Sequence, residues 1–133
     1  MKYGVTEDND LIVQALVRFF GQCNGVVGHE ANYQVMLAAE LERDYPGRVR
    51  REHKVASAGR GGIDIAVLDS AGQPWAVFEL KGGAYGNRSA LQDEFRTNIP
   101  KDIRSLGQVD VAPSRRWVVV VDAVGEFGRT LAR

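Results

Sequence analysis

The sequence predicts an α/β fold, a small mixed β-sheet flanked by helices, in the order helix, helix, strand, strand, strand, helix, strand. Three observations predict it. Two stretches in the amino-terminal third repeat apolar residues at three-and-four spacing, the period of a helix with one buried face. Residues 62–68 and 75–81 are apolar runs joined by a short Gly-containing turn, the signal of a β-hairpin. A third helical pattern then leads into a nearly continuous apolar run, Trp117-Val118-Val119-Val120-Val121. A strand, helix and strand in that order imply a right-handed crossover with parallel pairing.

The first helix carries Leu11, Ile12, Ala15, Leu16, Phe19 and Phe20 on one side. Thr6, Asp8 or Asn9 can cap it, and Gly21 is expected to end it. The second is expected over residues 29–45, stopping before Pro46, with Glu30, Gln34, Leu37, Leu41 and Tyr45 along one stripe. Residues 49–56 read as a first strand, followed by a glycine-rich turn ending at Gly62. The hairpin follows, then a loop over residues 82–87. Ser89 and Gln92 form a capping-box pattern for the third helix. Its stripe is Leu91, Phe95, Ile99, Ile103 and Leu106, with Pro100 kinking it or starting a fresh turn and Gly107 closing it. Residues 116–121 read as a strand buried on both faces. Residues 125–133 suffice for no more than a short helical end.

A length of 133 residues suits a single domain over residues 1–133, and 44% hydrophobic with 26% charged residues is ordinary for a globular chain. No apolar run is long enough to span a bilayer. The polar, acidic amino terminus is unlike a signal peptide, and one cysteine, Cys23, excludes an internal disulfide, so a cytoplasmic location is expected. Cys23 reads as a small structural thiol. Net charge is zero, yet Arg43, Arg48, Arg50, Arg51, Lys54 and Arg60 face only Asp44 and Glu52 in the stretch leading into the hairpin. A charge run is commonly just a solvated face; here it lies beside a cluster of acids.

Those acids are the chemical feature of the chain. Side chains alternate along a strand, so Glu79 and Lys81 share a face. With Ser70 to Gln73 as the loop, Asp69 pairs with Pro74 and the register sets Asp64 opposite Glu79. Opposed like charges repel unless something neutralises them, and a divalent cation is the obvious neutraliser. Carboxylates without imidazoles or thiolates suit Mg²⁺ or Mn²⁺, with the Leu80 carbonyl as a further oxygen ligand. Lys81 can position or deprotonate a water, or stabilise charge on a phosphoryl group. An incidental surface ion pair is the plainer reading, but Asp64 and Glu79 interrupt strongly apolar strands, where unpaired charge is costly.

Gly62-Ile63-Asp64, a spacer, and Phe78-Glu79-Leu80-Lys81 resemble the active-site hairpin of the PD-(D/E)xK phosphodiesterase superfamily, the restriction-endonuclease-like nucleases. The resemblance covers residues 30–121 and implies a restriction-endonuclease-like core (ααβββαβ). It implies Asp64 and Glu79 as metal ligands, Lys81 as the residue assisting the attacking water, and a helix acid at Glu30, with Glu40 the weaker candidate. Ile63 stands where many members have proline.

The expected function is that of a Mg²⁺-dependent endonuclease hydrolysing phosphodiester bonds in DNA, with RNA left open. Arg48, Arg50, Arg51, Lys54, Arg60 and Arg88 are the expected backbone contacts. So small a core suggests a homodimer, a structure-directed enzyme or a larger nuclease complex. The competing expectation is a catalytically silent nuclease-fold subunit that binds or regulates.

Overall fold

The computed structural model describes residues 2–23, 30–54, 62–82 and 93–121. Its element order is α1 (Lys2–Cys23), α2 (Glu30–Asp44), β1 (Val49–His53), β2 (Ile63–Leu68), β3 (Pro74–Gly82), a π-helical turn (Glu94–Asn98), α3 (Ile99–Leu106), a 3₁₀ turn (Pro113–Arg115) and β4 (Arg116–Val121). The four strands form one mixed sheet in the order β1-β2-β3-β4. The first three are antiparallel neighbours, and β4 runs parallel to β3 with Glu79 beside Val118 and Lys81 beside Val120.

The apolar pattern assigns each helix to a face. Ile12, Ala15, Leu16, Phe19 and Cys23 of α1 pack with Tyr33, Leu37, Ala38 and Leu41 of α2. Together they cover Ile65, Val67, Ala76, Phe78, Leu80, Val119 and Val121 of the sheet. Each of these large side chains removed from water contributes about 1.5–3 kcal/mol. On the other face Ala66 and Val77 pack with Leu106, Val109 and Val111. Arg18 binds Asp44 at 2.7 Å and Glu40 at 3.4 Å, tying α1 to α2.

Several expectations change in detail. Helix α1 is continuous from Lys2 to Cys23, so Thr6, Asp8 and Asn9 lie inside it and Gly21 does not end it. Tertiary packing of one long apolar stripe, through to Cys23, outweighs the local cost of about 1 kcal/mol for an interior glycine. Phe20 turns outward beside Val13 and Val17 rather than joining the core. In α3, Pro100 occupies the first turn, where its missing N–H costs nothing. The inward face is Ile99, Asp102 and Leu106, whereas Ile103 is 56% exposed. Strand β4 is an edge strand among the described residues, with Val118 and Val120 half-exposed rather than buried on both faces. The Ser89–Gln92 cap, the glycine turn before Gly62, and residues 125–133 lie outside the described residues.

The hairpin turn also differs from its expected form. Asp69 N–H donates to the Gln73 carbonyl at 2.8 Å, and Asp69 Oδ1 accepts from Ala71 and Gln73 N–H, both at 2.9 Å. Asp69 therefore closes the loop instead of pairing with Pro74, whose partner is Leu68. Register shifts between Val67, opposite Ala76, and Leu68, which leaves Trp75 as the extra residue of a β-bulge. Beyond the bulge Ile65 pairs with Phe78, so the next rung sets Asp64 against Glu79, as expected by a different route.

Candidate active site

The backbone ladder of β2 and β3 ends at Ile65 and Phe78, and side chains close the next rung. Asp64 Oδ2 accepts the Leu80 backbone N–H at 2.8 Å. Glu79 Oε1 accepts the Asp64 backbone N–H at 3.4 Å. Each carboxylate thus leans onto the other's strand, which brings the two acids together. In a strand the N–H and C=O of one residue point to the same side, so the Leu80 carbonyl lies along the edge that faces Asp64.

Burial and the Asp64 charge push Glu79 up to about 9, with the side-chain hydrogen bond to Asp64 and the Asp102 charge adding to the rise. Without a cation, the Asp64–Glu79 pair therefore retains a proton at neutral pH. Lys81 Nζ forms an ion pair with Asp102 Oδ2 at 3.0 Å. Burial pulls the Lys81 ammonium down, but Asp102, Glu30 and Glu94 outweigh it, and its proton affinity is raised overall. Glu94, from the π-helical turn, is buried and accepts from Asn98 Nδ2 at 2.6 Å.

Glu30 is the first residue of α2, half-buried, and pushed up to about 7 by burial. Lys81 opposes that rise, while Asp64, Glu94 and Asp102 add to it. Glu30, Asp64, Glu79, Glu94 and Asp102 thus share one electrostatic neighbourhood with Lys81. Glu40 does not join them. It is buried between the helices, where its carboxylate accepts from Arg18 at 3.4 Å and from Gln22 and Arg43 at 3.1 Å.

Gly82 follows Lys81 with φ +149°, and a Cβ there would lie 2.5 Å from the Val121 carbonyl oxygen. Only glycine lets β3 stay against β4 at this point, and that fixes the end of the strand bearing Glu79 and Lys81. Glu52, opposite Asp64 on the β1 side between the Arg51–Ile65 and His53–Ile63 pairs, has φ +51°. That uncommon backbone lets consecutive side chains reach Gln34 of α2: Arg51 Nε donates to Gln34 Oε1 and Gln34 Nε2 to Glu52 Oε1, both at 2.9 Å.

The basic residues divide into two groups. Arg51 pairs with Ile65 next to Asp64, and exposed Lys54 follows the His53–Ile63 pair at the same end of the sheet. Arg50 is exposed, with its guanidinium donating to the Gly47 and Val49 carbonyls. Arg48 lies at the opposite end and donates from Nε to the Leu68 carbonyl at 2.5 Å. Arg60 and Arg88 fall outside the described residues. Sequence reading missed Asp102 and Glu94. The available signal was the need of a lysine on an apolar strand for a counter-charge, which the helix after β3 is placed to supply.

No group of three or more His, Cys, Asp or Glu side chains disposed to hold a metal ion occurs among the described residues. The candidate donors are two carboxylates and one carbonyl, a hard oxygen set suited to Mg²⁺ or Mn²⁺ with water completing the shell. No described helix is long and apolar enough to cross a membrane. Comparison with protein-family models, curated proteins and solved structures gives no match.

Proposed function

We propose that this chain is a metal-dependent nuclease that hydrolyses phosphodiester bonds in DNA, built on a restriction-endonuclease-like core. The observation that carries the reading is the Asp64–Glu79 pair. Two carboxylates held together on apolar strands repel when both are ionised, and a divalent cation would relieve that repulsion. Asp64, Glu79 and the Leu80 carbonyl would hold Mg²⁺ or Mn²⁺. When bound, such an ion supplies a polarised phosphoryl oxygen and a water of lowered pKa.

The chain's own groups divide the remaining work. Lys81, kept as an ammonium by Asp102, stabilises charge developing on the phosphoryl oxygens and does not remove the water's proton. Glu30, at about 7, has the proton affinity to accept that proton near neutrality. Water attacks phosphorus, the bond to the leaving oxygen breaks, and that oxygen takes up a proton. Arg50 and Arg51 on β1, with Lys54 just after it, offer the positive surface for the backbone, with a homodimer or a larger nuclease complex as the working assembly.

The Lys81–Asp102 pair also favours a second reading, a nuclease-like subunit that binds nucleic acid without cutting it. One experiment separates the two. Wild-type protein should nick plasmid DNA with Mg²⁺ or Mn²⁺ and not in EDTA, and Asp64→Ala or Lys81→Ala should abolish the nicking. Folded wild-type protein that cuts no DNA or RNA with either metal excludes the enzyme.

A further inference from the structure

We infer that Arg48, Trp75 and Arg115 form a phosphate clamp for the nucleic-acid backbone, separate from the carboxylate site. This rests on the nucleic-acid reading above but not on catalysis. The bulge in β3 re-aims Trp75, which packs at 5.6 Å between centroids against Tyr45 at the end of α2. Two guanidinium groups lie over the Trp75 ring, that of Arg115 at 4.7 Å and that of Arg48 at 5.5 Å, and Arg48 also lies 5.2 Å from the Tyr45 centroid. Among the described residues each is fixed through Nε alone: Arg48 donates to the Leu68 carbonyl at 2.5 Å and Arg115 to the Trp75 carbonyl at 2.7 Å.

A guanidinium has five N–H donors, so a purely structural fastening of this kind consumes one and leaves both terminal nitrogens. No carboxylate pairs with either arginine among the described residues. Asp69, the nearest acid in the turn, directs Oδ1 to the Ala71 and Gln73 N–H groups. Two half-buried cations therefore share one aromatic ring with no balancing anion among the described residues, the converse of the acid cluster at the other end of β3. Stacking and the Nε bonds already restrict both side chains, so little ordering cost remains when their outer donors fork onto a tetrahedral oxyanion. Trp75 lies four residues before Glu79, a separation of about 13 Å along the strand.

The test is binding of a fluorescent DNA oligonucleotide to the full chain in EDTA, with Trp75 emission followed in a Trp117→Phe background. Arg48→Gln combined with Arg115→Gln should weaken binding on the order of tenfold. It should also lower the slope of log K against log salt by about one. The oligonucleotide should change Trp75 emission in the parent and not in the double variant. If the double variant does not fold, arginine side-chain N–H resonances of the wild type serve instead, and two should shift on adding oligonucleotide. Unchanged affinity and slope in a folded double variant, two unmoved resonances, or a wild type that does not bind DNA would overturn the clamp. DNA cleavage with unaltered binding by the variant defeats the clamp alone; clamp-dependent binding without cleavage defeats only the catalytic reading.

Discussion

Replacing Glu79 by Gln tests the origin of the site in its most direct energetic form. The amide keeps an oxygen that can accept the Asp64 N–H, and it removes the ionisable group. Glu79 has its ordinary carboxylate affinity of about 4.5 in the unfolded chain and about 9 in the folded one. Below pH 4.5 both states hold the proton. Between those values only the folded state does, so the contribution of Glu79 to metal-free stability is greatest at low pH and falls as pH rises toward 9. At pH 7 the difference spans about 2.5 pH units, an upper bound of about 3 kcal/mol, and solvent reaching the partly exposed carboxyl reduces it to about 1–2 kcal/mol. For a chain of this size that is a rise in Tm of about 4–8 °C in the variant. Thermal unfolding in EDTA at pH 5, 7 and 8 measures it. Glu79→Gln should match wild type near pH 5 and exceed it increasingly by pH 8. A variant equally or less stable at pH 8, or offset by the same amount at every pH, refutes the electrostatic account.

Other outcomes follow from neighbouring contacts. Asp102→Asn removes the counter-charge of Lys81, so the ammonium loses its proton more readily and the alkaline limb of a cleavage pH profile should move to lower pH; an unmoved limb excludes Asp102 from that role. Glu40→Ala should destabilise the chain by about 1–3 kcal/mol in urea unfolding and leave cleavage per folded molecule intact, whereas Glu30→Gln should lower cleavage with little loss of stability. Gly82→Ala forces a Cβ to 2.5 Å from the Val121 oxygen and should cost about 2–4 kcal/mol with loss of β3–β4 amide protection in hydrogen exchange.

The hairpin was legible in sequence because strand alternation is local, and apolar runs about a turn leave few choices of face. Even so, the turn was misread. Asp69 bonding to its own loop and the bulge at Trp75 each shift the register by one, and the shifts cancel at Asp64 and Glu79. The helix acids were less legible. Periodicity names a face and not its partner, and nothing local tells that Glu40 meets Arg18, 22 residues earlier, while Glu30 meets the sheet. Asp102 was hidden by reading Ile103 into the apolar stripe, because the π-helical turn rotates α3 relative to the pattern before Pro100. Val109 and Val111 escaped notice because two apolar residues at alternate positions are too few to mark an element, yet both are buried against the sheet.

Asp64 and Glu79 are proposed to hold a divalent cation. Crystals soaked in Mn²⁺ and measured at the manganese absorption edge test it most directly. The account predicts one anomalous peak bounded by the two carboxylates and the Leu80 carbonyl. A folded crystal with no peak there, or with manganese bound only elsewhere, contradicts it.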